Sequence, residues 1–344
     1  MEAHATLPAR TRRWLAEHAG IPENAAIRPL AGGNANAAYE VSWGSERVLL
    51  RTPPAGHVDA TAHDLAREHR VLTALAGAGV RVPRPHALCL DTDVPHAPLL
   101  VLSFVAGTAI TDELPAGYPA PSAALPTIGR ELVGALAEIH TVDPGAAGLD
   151  GFGRPEGFLA RQVERWMAQY ERNRRREVPG FSRVARLLDE RLPRDGDITV
   201  LHGDYHLDNS LFAPDHPRLL AVIDWEMATL GDPLLDLGLV LALWGDQRPD
   251  PCAFPRIQGV SRLPGAPDRA SLAGWYERAR GRPLPDIEAY LGLSLFKLAA
   301  VVEGAYALYL EGQMDNDYAR SLEQDVPRLL SQAESHLRGR GGTV

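Results

Sequence analysis

LHGDYHLDNSLF, residues 201–212, is the most informative segment of this 344-residue chain, and VIDWE follows it at 222–226. Short apolar runs at 198–201 and 219–223 enclose this cluster of His, Asp, Asn and Glu side chains. Polar side chains packed between apolar strands cost free energy unless they are hydrogen-bonded or used. The cluster therefore predicts a catalytic or binding site on a loop between two strands.

One interpretation of the segment is a metal site. On an extended strand His202, Asp204, His206 and Asp208 share one face. Histidine and carboxylate ligands of this kind hold zinc or manganese in metallohydrolases. Such a site needs more ligands from later in the chain, and the histidines that remain downstream lie in no recognisable ligand motif.

The second interpretation is phosphoryl transfer. That reaction needs a carboxylate to orient the substrate hydroxyl and accept its proton, and oxygen ligands to hold Mg²⁺ against the nucleotide phosphates. Asp204 is the candidate base. Asn209, five residues on, and Asp224, fifteen beyond that on the next strand, are the candidate metal ligands. A loop that returns between paired strands brings these three side chains together.

The upstream half of the chain supplies candidates for holding the nucleotide. A glycine- and asparagine-rich turn between short apolar runs is typical of a hairpin, and its backbone amides can cover phosphates. The residues of this turn are Gly32, Gly33, Asn34 and Asn36. Arg51 closes the strand 48–51, where a cation can pair with phosphates, and Glu68 lies in the predicted helix 61–76, where it can orient that cation.

In this order the motifs resemble the protein-kinase-like small-molecule kinases, the aminoglycoside phosphotransferase and choline kinase superfamily. His202-Gly203-Asp204 through Asn209 is similar to its catalytic loop, Ile223-Asp224-Trp225-Glu226 to its metal-binding strand, and GDPLLDL at 231–237 to the segment that follows. The resemblance is nearest to the branch whose kinase-like domains are fused to acyl-CoA dehydrogenases in animals. It covers residues 28–312.

The resemblance implies an α+β, two-lobed protein-kinase-like fold. Residues 1–105 are expected to form a small antiparallel-sheet lobe that binds the nucleotide, and residues 106–344 a larger, mostly helical catalytic and substrate lobe. ATP is the expected cofactor, with GTP as an alternative, together with Mg²⁺. A ligand site is expected in the cleft between two such lobes.

The resemblance also implies roles for individual residues. Backbone groups of Ser103 to Val105 are expected to bond the adenine, while His202 and Asp236 brace the catalytic loop. Four further side chains are candidate substrate contacts: His206, Glu226, Glu303 and Tyr306.

Two departures from the family pattern concern cations. Protein kinases place a lysine where this chain has Arg51, which keeps the charge but adds fork geometry. The chain has a single lysine, Lys297, in the predicted helix 291–311, where an ion pair with Asp or Glu is favoured over a substrate contact. Arginine makes up the rest of the 35 basic residues, and the run at 172–176 is predicted to be a solvated helix face.

Composition narrows the class of protein. A net charge of −9 does not suit a nucleic-acid binder. Two cysteines cannot make a disulfide framework and fit a reducing compartment, so we expect a cytoplasmic protein. Residues 1–20 carry charges and no apolar core, which does not suit a signal peptide, and no membrane association is expected.

Three functions remain open on the sequence. The first is a metabolic kinase for a small hydroxylated molecule, with a hydroxyacyl compound suggested by the branch resemblance. The second is an aminoglycoside or macrolide antibiotic kinase, for which the acidic residues between 303 and 325 favour cationic drugs. The third is a nucleotide-binding regulator without turnover, against which the intact Asp204, Asn209 and Asp224 argue.

Overall fold

The computed structural model describes residues 7–30, 37–53, 64–194, 196–245 and 258–339. Over these ranges the chain forms nine α-helices and ten β-strands. The strands are β1 Ala26–Pro29, β2 Ala37–Trp43, β3 Glu46–Thr52, β4 Pro85–Cys89, β5 Leu99–Ser103, β6 Thr108–Ala109, β7 Thr199–Leu201, β8 Ser210–Phe212, β9 Leu219–Val222 and β10 Thr229–Gly231. The helices are α1 Ala9–Ala19, α2 Leu65–Gly77, α3 Pro121–His140, α4 Phe158–Asn173, α5 Phe181–Arg191, α6 Leu234–Leu243, α7 Arg269–Arg280, α8 Ile287–Leu310 and α9 Asp317–Leu337.

The N-terminal region is built on a five-stranded antiparallel sheet in the order β1-β2-β3-β5-β4. Its strand β5 is apolar at every position from 99 to 102 because both faces of the sheet are covered. Leu99 and Val101 face the small core shared with α1, while Leu100 and Leu102 face the main core. Alternating side chains on a strand point to opposite faces, so a continuous apolar run is what a doubly covered strand requires.

Helix α2 packs on this sheet and carries a charge inward. Asp64 caps its N-terminus by accepting a hydrogen bond from the backbone N–H of Arg67. Leu65, Val71, Leu72 and Leu75 form the buried face that the 3.6-residue period predicts. Glu68 lies on the same buried face, so it enters the interior beside the sheet.

The C-terminal region is mostly helical and is organised around α8, which packs against α4, α5, α6 and α9. This helix is apolar on all sides, as a central core helix must be. On length and composition alone it is the one described helix that passes as a candidate membrane span, and 67% of that window is buried inside the protein. The surrounding helices account for its apolar surface.

The predicted architecture is confirmed: an antiparallel sheet region precedes a mostly helical region. Helix α3 begins at Pro121, since proline is well suited to the first helical position. One local prediction changes. The arginine run at 172–176 is not one helix face, because α4 ends at Asn173.

Candidate active site

The catalytic loop, residues 202–209, follows β7 and is tied to the first turn of α6. Strand β7 pairs with β10, and β8 pairs with β9, so the loop leaves one small sheet and enters another. The backbone N–H groups of His202 and Gly203 donate to the two carboxylate oxygens of Asp236, at 2.7 and 2.9 Å. Asp236 is buried, and His140 lies 3.4 Å from its Oδ2. This anchorage fixes where the next residue, Asp204, stands.

His202 braces the loop, as predicted for it. Its Nδ1 accepts a hydrogen bond from the backbone N–H of Asp204 at 3.2 Å, and its Nε2 lies 2.8 Å from the carbonyl oxygen of Ile223. The accepting Nδ1 places the ring proton on Nε2. Burial lowers the pKa of His202, so the ring is neutral and links the base to the strand that precedes Asp224.

Asp204 and Asn209 are brought together as the spacing predicts. Asn209 Nδ2 donates to the carbonyl oxygen of Asp204 at 2.9 Å, which leaves the amide oxygen of Asn209 free to act as a ligand. The Asp204 side chain is 45% exposed. Burial opposes its ionisation, but the hydrogen bond and charge of His206, with the charge of Lys297, hold the pKa of Asp204 below its usual value. Asp204 is therefore an ionised carboxylate open to a substrate.

Asp224 has a left-handed backbone conformation, with φ of 67°. This conformation is costly for a residue other than glycine, and such strain concentrates at functional sites. Its Oδ1 is buried and lacks a hydrogen-bond partner among the described residues, and Arg51 Nη2 lies 3.9 Å from it. Ile223 N–H donates to Asn209 O at 2.9 Å, which holds the Asp224 strand next to Asn209.

A cluster of carboxylates surrounds Arg51. Arg51 forms an ion pair with Glu68, which crosses from β3 to α2. Glu68 Oε2, Asp224 Oδ1 and Glu226 Oε2 are all buried without a hydrogen-bond partner in the described ranges. Burial raises the pKa of Glu68 to about 7 although Arg51 opposes that rise, and burial with the charge of Asp224 also raises the pKa of Glu226. The single positive charge of Arg51 cannot neutralise three neighbouring carboxylates.

The residues present fit Mg²⁺. A hard divalent cation takes carboxylate and amide oxygens together with substrate phosphates, and needs few protein ligands. Asp224 Oδ1 and the amide oxygen of Asn209 are such oxygens. The metallohydrolase interpretation fares worse, because no group of three His, Cys, Asp or Glu side chains in the described part of the chain converges as a metal site. Residues 207–209 form a 3₁₀ turn, which breaks the extended strand that this interpretation needs.

Two of the candidate substrate contacts lie at the site. His206 Nε2 is 3.5 Å from Asp204 Oδ2, and His206 Nδ1 is 3.9 Å from Asp208 Oδ1. Burial lowers the basicity of this ring, but the hydrogen bonds and charges of the two aspartates outweigh it and raise the pKa of His206 to about 9. Burial and the charge of Asp224 raise the pKa of Glu226, and the charge of Arg51 opposes that rise. Both side chains therefore belong to the electrostatic surroundings of the base and the metal ligands.

The structure does not bring Glu303 and Tyr306 to this site. Glu303 is fully buried, and Arg176 bonds both of its carboxylate oxygens, at 2.9 and 3.1 Å. Tyr306 is buried too, and the Arg176 guanidinium stacks over its ring at 4.0 Å. The prediction of a substrate contact is wrong for Glu303, because a carboxylate enclosed in this way serves the packing of α8. Tyr306 belongs to the same cluster.

The expected nucleotide contacts are only partly described. Ser103 N–H donates to Arg84 O and Val105 O accepts from Gly107 N–H, so these two groups are not open to an adenine. The backbone N–H of Val105 makes no hydrogen bond within the described ranges. The turn predicted to cover the phosphates lies outside the described residues: Gly32, Gly33, Asn34 and Asn36.

Lys297 contacts the loop that carries Asp204, which the sequence analysis did not predict. Its Nζ donates to the carbonyl oxygen of Gly203 at 2.7 Å, next to the base, and no carboxylate among the described residues lies within ion-pair distance. The expected ion pair with Asp or Glu is therefore wrong. Burial lowers the pKa of Lys297, while the charges of Asp204 and Asp236 oppose that effect. Its rarity was the available signal, since it is the chain's single lysine.

Comparison with known proteins agrees with this geometry. The model of the phosphotransferase enzyme family (APH) matches residues 26–284. Acyl-CoA dehydrogenase family member 11 of Gallus gallus is 34% identical over 323 residues, which are 90% of this chain and 40% of that protein. Family member 10 of Mus musculus is 33% identical over 296 residues, 84% of this chain and 27% of that protein. The chain thus spans less than half the length of these relatives.

Solved structures share the fold. A presumed aminoglycoside phosphotransferase from Ralstonia eutropha superposes with a TM-score of 0.83 at 29% identity, covering 97% of this chain and 99% of that one. Choline kinase from Cryptosporidium parvum gives a TM-score of 0.65 at 12% identity, with 96% of each chain covered. The chain belongs to the phosphotransferase enzyme family, the class of small-molecule kinases that act on hydroxyl groups.

Proposed function

We propose that this chain transfers the γ-phosphoryl group of ATP, in the presence of Mg²⁺, to a hydroxyl group of a small metabolic molecule. The observation that carries the proposal is the arrangement of Asp204, Asn209 and Asp224: an exposed ionised base, a free amide oxygen and a buried unpartnered carboxylate oxygen. Residues 1–105 would hold the nucleotide and residues 106–344 the base and the acceptor.

Each residue has a physical task in this reaction. Asp204 aligns the acceptor hydroxyl and takes its proton, which is positioning more than covalent chemistry. Asn209 and Asp224 hold Mg²⁺, which when bound neutralises charge on the phosphate oxygens. Arg51, kept in place by Glu68, pairs with the phosphates from the sheet side. His206 supplies a cationic ring beside Asp204, which keeps that carboxylate ionised before it accepts the proton.

The substrate class follows from two observations. The curated relatives are named acyl-CoA dehydrogenase family members, which favours a hydroxylated acyl compound. Five of the acidic residues that favoured cationic antibiotics form ion pairs with arginines, and one of them, Glu303, is fully buried. The pairs are Glu303 with Arg176, Glu311 with Arg175, Asp315 and Asp317 with Arg320, and Asp325 with Arg328.

The test is a screen of hydroxylated metabolites by thermal shift with ATP and Mg²⁺, followed by detection of ADP and of the phosphorylated product. We expect turnover in the wild type, none in Asp204→Asn, and Mg²⁺-dependent ATP binding in both. The matched variant Asp224→Asn should lose the Mg²⁺-dependent part of ATP binding. If the wild type and Asp204→Asn bind Mg·ATP equally and neither phosphorylates any hydroxyl, the chain is a regulator.

A further inference from the structure

A small cavity of about 50 Å³ lies against the backbone of Gly203, on the side of the catalytic loop that faces α4 and α8. Gln162, Arg165 and Trp166 of α4 line it, with Met227 and Lys297. Arg165 is exposed and Met227 is 38% exposed, so these two side chains mark where the cavity meets solvent. Asp204 is the next residue along the loop from the cavity wall.

Two cations meet at this cavity, whose wall also includes Asp236. Lys297 Nζ lies over the Trp166 ring at 5.6 Å, and the Arg165 guanidinium lies over the same ring at 4.7 Å. Neither side chain forms an ion pair with any residue of the described ranges. The charge of Asp236 acts on Lys297, but both carboxylate oxygens of Asp236 already accept hydrogen bonds from the backbone N–H groups of His202 and Gly203.

Carboxylates are in excess in this chain, whose net charge is −9. Arg175, Arg176 and Arg183 of the C-terminal region each form an ion pair with a glutamate. Two neighbouring cations that share one aromatic ring repel each other unless an anion joins them. Arginine and lysine together are well suited to an oxyanion, since one offers a fork of N–H donors and the other a compact charge.

We propose that this cavity binds an oxyanionic group of the phosphoryl acceptor, a carboxylate or a phosphate, so that the substrate is a hydroxylated organic anion. The inference rests on the proposed kinase function and adds the charge of the acceptor to it. Arg165 and Lys297 bind the anionic end, while Trp166 and Met227 cover the carbon chain that leads to the hydroxyl at Asp204. A polycationic acceptor would meet like charge at this position.

The test compares matched probes that differ in one group. The probes are straight-chain 3-hydroxy and terminal-hydroxy carboxylates of four to ten carbons, their primary amides, and the phosphate monoesters of the corresponding diols. Calorimetric titration uses the Asp204→Asn protein with Mg·ADP, which binds without transfer, and turnover is measured with the wild type. Arg165→Glu and Arg165→Met are compared with Arg186→Met, which removes an exposed arginine of α5.

We expect at least one anionic series to bind about tenfold or more tightly than the amides, because a charge-assisted pair contributes roughly 1.5–3 kcal/mol. Arg165→Glu should abolish that preference and raise the KM for the anion, while the KM for ATP and the kinetics of Arg186→Met stay at wild-type values. Whichever of carboxylate or phosphate binds more tightly identifies the group.

The two proposals fail in different ways. If the wild type binds the anion, Arg165→Glu does not, and no turnover is found, the proposed anion site holds and the proposed kinase function is overturned. Two results would overturn the anion site and leave the kinase function standing. One is that the wild type turns over amides as well as carboxylates and phosphates, and the other is that Arg165→Glu leaves the preference for anions unchanged.

Discussion

Arg51 is the residue on which the nucleotide side of the site depends. It is 12% exposed, forms an ion pair with Glu68 and lies 3.9 Å from Asp224 Oδ1. Without this guanidinium, Glu68 would be a buried carboxylate with no counter-charge, and it would take up a proton because its pKa is already raised to about 7. The arginine thus supplies the charge that opposes protonation of Glu68, in addition to its proposed contact with the phosphates.

We therefore expect Arg51→Ala to raise the Kd for Mg·ATP and to lower kcat/KM by about a hundredfold, the loss typical of a misplaced phosphate clamp. Arg51→Lys should be the mildest substitution, since it keeps the charge and loses only the fork geometry. Nucleotide titration and steady-state kinetics measure both effects, with the melting temperature as the folding control. Intact ATP affinity and turnover in Arg51→Ala would remove this residue from the site.

His206 predicts a pH dependence of stability. Its pKa is about 9 in the folded protein against 6.5 in the unfolded chain, so folding favours the protonated ring. A raised pKa stabilises fully below pH 6.5, and the contribution declines above that pH and is lost as pH rises through 9. Urea unfolding of the metal-free protein measures this effect between pH 6 and 10. Over that range the free energy of unfolding of the wild type should fall by on the order of 2 kcal/mol more than that of His206→Gln. Identical pH profiles would show that the aspartates do not hold the ring charged.

At the scale of elements, the catalytic loop depends on one close approach. Gly203 has a φ of 85°, and a Cβ there would lie 2.4 Å from the carbonyl oxygen of Met227. The same residue donates its N–H to Asp236 and accepts from Lys297, so any shift moves Asp204. The loop, α6 and α8 therefore meet at a position that only glycine fits.

Gly203→Ala should destabilise the protein by about 1–3 kcal/mol through backbone strain and contact, and should lower kcat more than KM. The matched control is Gly134→Ala in α3, where a Cβ meets nothing within 4 Å. That change should stabilise by about 0.5–1 kcal/mol, because alanine is the better helix former. Thermal unfolding and steady-state kinetics measure both, and equal effects from the two variants would contradict the account of the loop.

The elements that sequence periodicity predicts are those that local pattern determines. Helices α6 and α9 are of this kind, because their apolar residues are contained within the segment itself. The edge strands β1 and β4 are short and each contains a proline, so their pairing with neighbouring strands is what makes them strands. Helix α5 has buried residues at 181, 184, 185 and 188, so its own apolar spacing is sufficient to predict it.

The residues of the candidate site also fall into those placed by local sequence and those placed by tertiary packing. Asp204, Asn209 and Asp224 lie in one strand–loop–strand unit, so their spacing along the chain was sufficient to place them together. Lys297 stands 94 residues from Gly203 and reaches it only through the packing of α8. The burial of Glu303 likewise depends on Arg176, which comes from a loop 127 residues away. Tertiary packing therefore decides which charged side chains lie at the site and which form ion pairs in the interior.

At the scale of the whole molecule, Arg176 joins three parts of the C-terminal region. It follows α4, bonds Glu303 of α8 through two oxygens, and donates to the carbonyl oxygens of Leu322 and Glu323 in α9. Its guanidinium also stacks on Tyr306 at 4.0 Å. A buried pair of this kind is costly to desolvate, so its value is specific docking of the helices more than net stability.

A double-mutant cycle separates these effects. Arg176→Met should destabilise the protein by about 3–5 kcal/mol because it leaves the Glu303 carboxylate buried and unpaired. Glu303→Leu alone should cost less, because the Arg176 guanidinium keeps the carbonyl oxygens of Leu322 and Glu323 as acceptors. The double variant should recover most of the loss, since two apolar side chains replace both charges. Chemical denaturation measures the coupling, and the acceptor KM of the double variant should match the wild type because neither residue contacts the substrate. Additive losses, or an acceptor KM raised in the double variant, would return Glu303 to the substrate site.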